Sequence, residues 1–180
     1  MKELSLNILD VTENSVSAKA KNILVSMLED EDGILTLTIK DDGCGMSPEI
    51  VESVVDPFYT TRTTRSVGMG VPLLKLASEQ AGGKIDIQSE VGVGTTVTAT
   101  FDTKSIDFTP IGDMVSTMTT LIMGAPETDF LYLHKTPVGE VRLDTKELRE
   151  VLGDVSLSSP DVIGWIRDYL DEQYNNFGGK

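Results

Sequence analysis

Two side chains near the start of the chain have the types and spacing of a magnesium site. Asp10 and Asn14 stand four positions apart in a segment whose apolar residues recur at helical spacing, so both lie on one face of the predicted helix. A carboxylate and a carboxamide on one face can hold Mg²⁺ or its water molecules, because magnesium prefers oxygen ligands. By itself, such a pair is more often a solvated helix face than a metal site.

A second cluster, Asp41-Asp42-Gly43-Cys44-Gly45, comes directly after a predicted strand. An acidic residue at a strand end can accept a hydrogen bond from an exocyclic amine, and glycines at alternate positions let the backbone approach a flat ligand. A glycine-rich turn without a ligand explains the same residues equally well. Cys44 is more typical of a small packing residue than of a nucleophile, because no base is placed to deprotonate it.

Two further clusters follow, and the second of them suits an anion, although a glycine loop before a helix is weak evidence by itself. Residues 56–59, Asp-Pro-Phe-Tyr, lead into a loop rich in Thr and Arg, and Gly68-Met69-Gly70 comes just before a helix predicted to begin at Pro72. Free backbone N–H groups and the positive end of a helix dipole favour an anion at such a position. The spacing fits neither a Walker A loop nor the Rossmann glycine fingerprint.

The composition describes an acidic protein with an ordinary core. The chain has 180 residues, 39% of them hydrophobic, and 15 Lys and Arg against 29 Asp and Glu give it a net charge of −14. This charge disfavours binding to nucleic acid and to anionic lipid. No apolar run reaches the about 20 residues of a membrane span, and a single Cys and a single His exclude an internal disulfide and a His-based metal cluster. We therefore expect a cytoplasmic protein that contacts neither nucleic acid nor membrane.

The elements that must position these clusters form an α+β pattern. Residues 1–102 predict a helix, a hairpin, a short helix, a loop, a helix and a second hairpin, which is a two-layer sandwich of one sheet and one helical layer. Residues 103–180 predict another helix, a hairpin and two capped helices. We expect a domain over residues 1–102 and a C-terminal α/β extension over residues 103–180, packed on that domain.

Together, the four clusters resemble the motifs of the GHKL superfamily, which includes histidine kinases, gyrase, mismatch-repair ATPases and a heat-shock chaperone. The matches are Asp10-x-x-x-Asn14 with the N box, Asp41-x-Gly43-x-Gly45 with the first glycine box, residues 56–59 with the F box, and Gly68-Met69-Gly70 with the second glycine box. The resemblance covers about residues 3–102. It implies a Bergerat-type ATP-binding fold, with a mixed sheet under a helical layer.

The resemblance also implies a role for each matched position. Asn14 would coordinate Mg²⁺, Asp41 would accept the adenine amino group, and Thr95 would support Asp41. The other residues that would surround the base and the phosphates of ATP are Gly43, Gly45, Phe58, Thr60, Thr61, Arg62, Arg65, Gly68, Met69 and Gly70. Arginines in such a loop can pair with phosphate oxygens.

Two departures from the family pattern bear on the reaction. The ATPase branch has a glutamate as water-activating base where this chain has Asp10, whose side chain is one methylene shorter. The chain begins at the N-box helix, and its single histidine, His134, lies in a strand-like run, so we do not expect a sensor kinase that phosphorylates itself.

The resemblance therefore implies a stand-alone Mg-ATP-binding protein that acts as a kinase on an unidentified partner protein. Two alternatives stay open: an ATP-dependent regulatory module with little turnover, and a weak ATPase with Asp10 as base. Self-association into a homo-oligomer is also compatible with the sequence.

Overall fold

The computed structural model describes residues 3–55 and 69–177. In these ranges the elements are α1 (Leu4–Ser17), β1 (Asn22–Glu29), β2 (Ile34–Asp41), α2 (Pro48–Val54), α3 (Gly70–Gln80), β3 (Ile85–Glu90), β4 (Gly94–Asp102), α4 (Met114–Gly124), β5 (Asp129–Thr136), β6 (Gly139–Asp144), α5 (Thr145–Leu152) and α6 (Pro160–Asn175). Their order follows the predicted one element by element.

The strands form one six-stranded mixed sheet in the order β3-β4-β2-β1-β5-β6. Only the β1–β5 pair among these strands is parallel. In β2 the buried residues Leu35, Leu37 and Ile39 alternate with partly exposed ones, as expected for a sheet with one covered face. The predicted α+β fold of one sheet and one helical layer is confirmed.

Helix α1 lies at the centre of the helical layer. It packs against α3 on one side and α4 on the other, and it contacts β1 and β2. Its buried residues include Leu4, Ile8, Val11 and Ser15, which are the residues that define the predicted helical spacing. Because this stripe faces the core, Asp10 and Asn14 lie at its margin, toward α3.

The start of α3 differs from the sequence-based prediction. The helix begins at Gly70 with Met69 as its N-cap, two residues before the expected start at Pro72. Proline is tolerated there because the first N–H groups of a helix have no intrahelical partner. A Cβ atom on Gly70 would lie 2.8 Å from Cβ of Asp10, so α3 begins in direct contact with α1.

Residues 103–180 contribute to the same sheet. β5 pairs with β1 in parallel, and β6 pairs with β5 as the outer strand. α4 packs between α1 and α6, and both α4 and α6 bury residues of the common core. A domain boundary at residue 102 stays a prediction. None of the helices in the described parts of the chain is long and apolar enough to cross a bilayer.

Candidate functional site

A cavity of about 240 Å³ lies between α1, the end of β2 and the start of β4. Four residues predicted for the site line it: Asn14, Asp41, Gly45 and Thr95. The apolar part of the lining consists of Val11, Ala18, Met46, Ile50, Val54, Val71, Ile87 and Val97. Apolar walls with a few convergent polar groups are typical of small-molecule sites.

Asp41 is the buried carboxylate of this cavity. It is the last residue of β2, where strand alternation turns its side chain toward the helical layer, and only 8% of it is exposed. Oδ2 accepts a hydrogen bond from Oγ of Ser15 at 2.5 Å, and Oδ1 accepts one from the backbone N–H of Gly43 at 2.8 Å. Each carboxylate oxygen has two lone pairs, so the group can accept a further bond from a ligand.

Ser15 belongs to the predicted helical spacing of α1 but is not among the predicted site residues. Its position on the buried face of the predicted helix was the available signal, because a buried hydroxyl needs a partner. That Asp41 is this partner follows only from the packing of α1 over the end of β2.

Thr95 lies directly opposite Asp41 in the β2–β4 pair. Its hydroxyl is 2.7 Å from Oγ of Ser89, which also donates to the carbonyl of Gly94 at 3.1 Å and accepts from the N–H of Met46 at 2.8 Å. Ser89 is a second residue of this wall that is not among the predicted site residues. It joins the loop after β2 to the β3–β4 turn and so shapes the wall of the cavity.

The two glycines of the loop after β2 stand where the backbones are too close for a side chain. A Cβ atom on Gly43 would lie 2.7 Å from the carbonyl oxygen of Ala18. Gly45 has φ +75°, and a Cβ atom there would overlap the carbonyl of Glu90. Gly45 lines the cavity together with the exposed Cys44, whereas Gly43 is buried behind it.

Asn14 and Asp10 differ in their relation to the cavity. Asn14 is half-buried and lines it, while Asp10 is exposed one turn earlier on α1 and is not part of the lining. Met69 is exposed at the N-cap of α3, next to Gly70, which is buried against α1. The other predicted site residues, Phe58, Thr60, Thr61, Arg62, Arg65 and Gly68, lie outside the described residues.

Asp42 has a structural role. Its Oδ1 accepts hydrogen bonds from the N–H groups of Lys21 at 2.7 Å and Asn22 at 3.0 Å, and Oδ2 accepts one from the Asn22 side chain at 2.9 Å. Partial burial raises the pKa of Asp42, but the bonds from Asn22 and Lys21 outweigh it, so the pKa is lower than usual. The charged carboxylate holds the start of β1 against the loop after β2.

A helix with an acid and an amide, a buried aspartate ending a central strand, and glycine-rich backbone beside them define a nucleotide-binding domain of the GHKL class. The sequence profile described as histidine kinase-, DNA gyrase B-, and HSP90-like ATPase matches residues 1–105. The chain belongs to this family.

A relative of known name agrees with this assignment. Sensor protein SrrB of Staphylococcus aureus is 43% identical over 65 residues, which are 33% of this chain and 11% of that protein. The matched segment thus spans about a tenth of the length of that relative.

Two solved structures share the fold. The N-terminal domain of a DNA repair protein has a TM-score of 0.54 at 16% identity. The alignment covers 86% of this chain and 58% of that one. The MutL ATPase domain of Aquifex aeolicus, complexed with ADP, has a TM-score of 0.51 at 18% identity. That alignment covers 84% of this chain and 69% of the other. These shares of this chain are too large to be confined to residues 1–105, so the common fold extends into the C-terminal part.

Proposed function

We propose that this chain binds Mg-ATP in the cavity beside Asp41 and transfers the terminal phosphoryl group to a residue of a partner protein. The observation that carries the proposal is Asp41 itself: a buried carboxylate with unused acceptor capacity, facing a cavity with apolar walls. Membership of the ATPase family supports ATP as the ligand.

The adenine end of the proposed site is formed by Asp41 and the walls around it. Asp41 would accept the exocyclic amine, and the carboxylate is held in place for this by Ser15 and by the Gly43 N–H. The apolar side chains that line the cavity suit a planar base, which loses water on binding. Thr95 would close this end, held by its bond to Ser89.

The phosphate end of the proposed site lies where α1 meets the start of α3. Asn14 would hold Mg²⁺ through its carboxamide oxygen, with the remaining ligands supplied by water and phosphate, as magnesium usually accepts. The metal would neutralise charge on the phosphates. Helix α3 begins at Gly70, so the N–H groups of Gly70 and Val71 have no partner within the helix and can face an anion.

Kinase activity is the favoured reaction because transfer needs positioning and charge neutralisation more than a strong base. The likeness to a sensor protein supports this choice.

An ATPase with Asp10 as base is the least favoured alternative, since Asp10 is exposed and outside the cavity lining. A regulatory module with little turnover is the second candidate, and the shared sheet favours it, because β5 pairs with β1 and β1 pairs with β2, the strand that ends at Asp41.

Binding is tested by calorimetric titration with Mg²⁺ and a non-hydrolysable ATP analogue. Asp41→Asn should weaken binding about tenfold or more, since a hydrogen bond to a charged group contributes about 1.5–3 kcal/mol. Asp32→Asn, an exposed acid in the β1–β2 turn at the far end of the strands, is the charge-matched control and should bind as the wild type does.

A change in the ligand avoids any effect on folding. Inosine triphosphate carries a carbonyl oxygen in place of the exocyclic amine and should bind the wild-type protein about tenfold or more weakly than ATP. Equal affinity for the two nucleotides would refute the role of Asp41.

The reaction is tested with γ-labelled Mg-ATP and candidate partner proteins, with Asn14→Ala as the control that should lose activity. Label on a partner supports the kinase. Release of free phosphate that Asp10→Asn abolishes would favour the ATPase, and tight binding without either product would favour the regulatory module.

A further inference from the structure

We propose that Arg149, in the C-terminal extension, positions the loop of residues 41–45 through the α1–β1 connection and thereby sets the ATP affinity of the site. Arg149 lies on α5 and is not part of the cavity lining. The consequence for affinity rests on the proposed function, whereas the positioning itself is a property of the fold.

The first step of the link joins the loop to the α1–β1 connection, residues 18–21. The N–H of Cys44 donates to the carbonyl of Ala18 at 3.0 Å, and Gly43 is pressed against the same carbonyl. On the other side of the loop, the Asp42 carboxylate accepts the N–H of Lys21 at 2.7 Å. The position of the connection therefore determines where the loop lies.

The connection is locally strained. Lys19 has φ +66° and is the only non-glycine residue with a positive φ in the described ranges. A backbone of this kind costs on the order of 1 kcal/mol and persists only when its surroundings hold it. The N–H groups of Lys19 and Ala20 donate to the carbonyls of Val16 at 2.9 Å and Ser15 at 3.3 Å and hold this geometry from the α1 side, and contacts on the far side of the connection add to them.

The second step joins the connection to the entry of β5. The N–H of Asp129 donates to the carbonyl of Lys21 at 2.9 Å, and the hydroxyl of Thr128 donates to the carbonyl of Ala20 at 3.4 Å. This is the point where the C-terminal extension enters the sheet, with Asp129 paired to Asn22.

The third step is the guanidinium of Arg149. Its Nε donates to Oδ1 of Asp129 at 2.6 Å, and its Nη2 donates to the carbonyls of Pro126 at 2.6 Å and Thr128 at 3.1 Å. One side chain thus holds three acceptors within residues 126–129. A lysine at position 149 could keep the ion pair with Asp129, but it lacks the planar guanidinium that donates to all three acceptors.

Arg142 offers a matched control. It is also an arginine of the C-terminal extension and forms ion pairs, with Glu147 at 3.1 Å and Asp144 at 3.5 Å. Its partners lie on β6 and α5, and none of these bonds reaches the α1–β1 connection. A general effect of removing an arginine from this region would appear in both variants.

The positioning is tested by amide hydrogen exchange in nucleotide-free protein. In Arg149→Gln, exchange at Gly43, Cys44 and Lys21 should be about fivefold or more faster, whereas Arg142→Gln should leave these amides within about twofold of the wild type. Arg149→Lys should restore part of the protection. If the Gln variant does not fold, the isosteric Thr128→Val removes the bond to Ala20 and should show the same pattern.

The consequence is tested by titrating the same variants with Mg²⁺ and the non-hydrolysable ATP analogue. We expect Arg149→Gln to bind about fivefold or more weakly and Arg142→Gln to bind as the wild type does. Unchanged exchange at residues 41–45, or unchanged affinity where the wild type binds, overturns the proposal. A wild type that binds no ATP refutes the proposed function instead, and the exchange measurements still decide the positioning.

Discussion

The buried His134 makes the stability of the protein depend on pH in a way that can be measured with little ambiguity. His134 is the single histidine of the chain and is only 5% exposed. Its Nδ1 is 2.8 Å from the hydroxyl of Tyr174, which in turn is 2.5 Å from the hydroxyl of Tyr132. The ring of Phe177 packs against the imidazole at a centroid distance of 5.0 Å. Burial among these rings lowers the pKa of His134 from 6.5 to about 4.

The direction of the stability change follows from whether the folded or the unfolded state binds the imidazole proton at higher pH. As the pH falls below 6.5, the histidine of the unfolded chain becomes protonated while His134 of the folded protein stays neutral. The unfolded state then binds more protons, so stability decreases with falling pH until about pH 4. With these two pKa values the loss is about 2 kcal/mol at pH 5 and about 3 kcal/mol at pH 4. Against a total stability of about 5–15 kcal/mol for a typical domain, this is a large fraction.

The assay is urea unfolding between pH 7.5 and pH 4.5, with His134→Gln as the control. The variant keeps a polar side chain near Tyr174 but does not titrate, so the difference between the two pH profiles isolates the histidine from the carboxylates. Because there is one histidine, its imidazole proton can also be followed directly by NMR. Parallel pH profiles for the two proteins, or an NMR pKa near 6.5 in the folded state, would refute the argument from burial.

Three further substitutions have defined outcomes. Ser15→Ala removes a donor from the buried carboxylate of Asp41 and should lower the free energy of unfolding by about 1.5–3 kcal/mol in urea titrations; no loss would mean that this hydrogen bond is not formed. Gly45→Ala forces a methyl group onto a facing carbonyl at positive φ and should cost about 2 kcal/mol or more in a thermal melt, with a normal melt contradicting the loop geometry. Gln173→Ala frees the N–H and carbonyl of Arg142 on the edge strand β6 and should promote concentration-dependent association, seen by light scattering; a monodisperse variant would contradict it.

Much of the fold could be predicted from local patterns. Helical spacing and strand alternation depend on neighbours a few residues apart, so they identify each element and the buried stripe of α1. The start of α3 could not be placed in this way. Pro72 signals a helix start, but the contact of Gly70 with α1 lets the helix begin two residues earlier.

The candidate site divides in the same manner. Asn14, Asp41 and Gly45 could be chosen from residue type and spacing and Thr95 from the family resemblance, and the structure brings the four to one cavity. Their roles toward ATP stay predictions. Ser89 could not be chosen, because its three partners become neighbours only when the β3–β4 turn meets the loop after β2.

The sequence by itself determined the class of fold, the order of its elements, the family and the polar residues of the candidate site. These features depend on residue type, on hydrophobic periodicity and on the spacing of motifs along the chain. Only the tertiary structure decided that β5 and β6 extend the same sheet and that the start of β5 contacts the α1–β1 connection. The parallel pairing of β5 with β1, and the bonds of Thr128 and Asp129 to Ala20 and Lys21, join segments about a hundred positions apart. No short-range pattern encodes such contacts, since they arise only when the sheet is assembled and its core is packed.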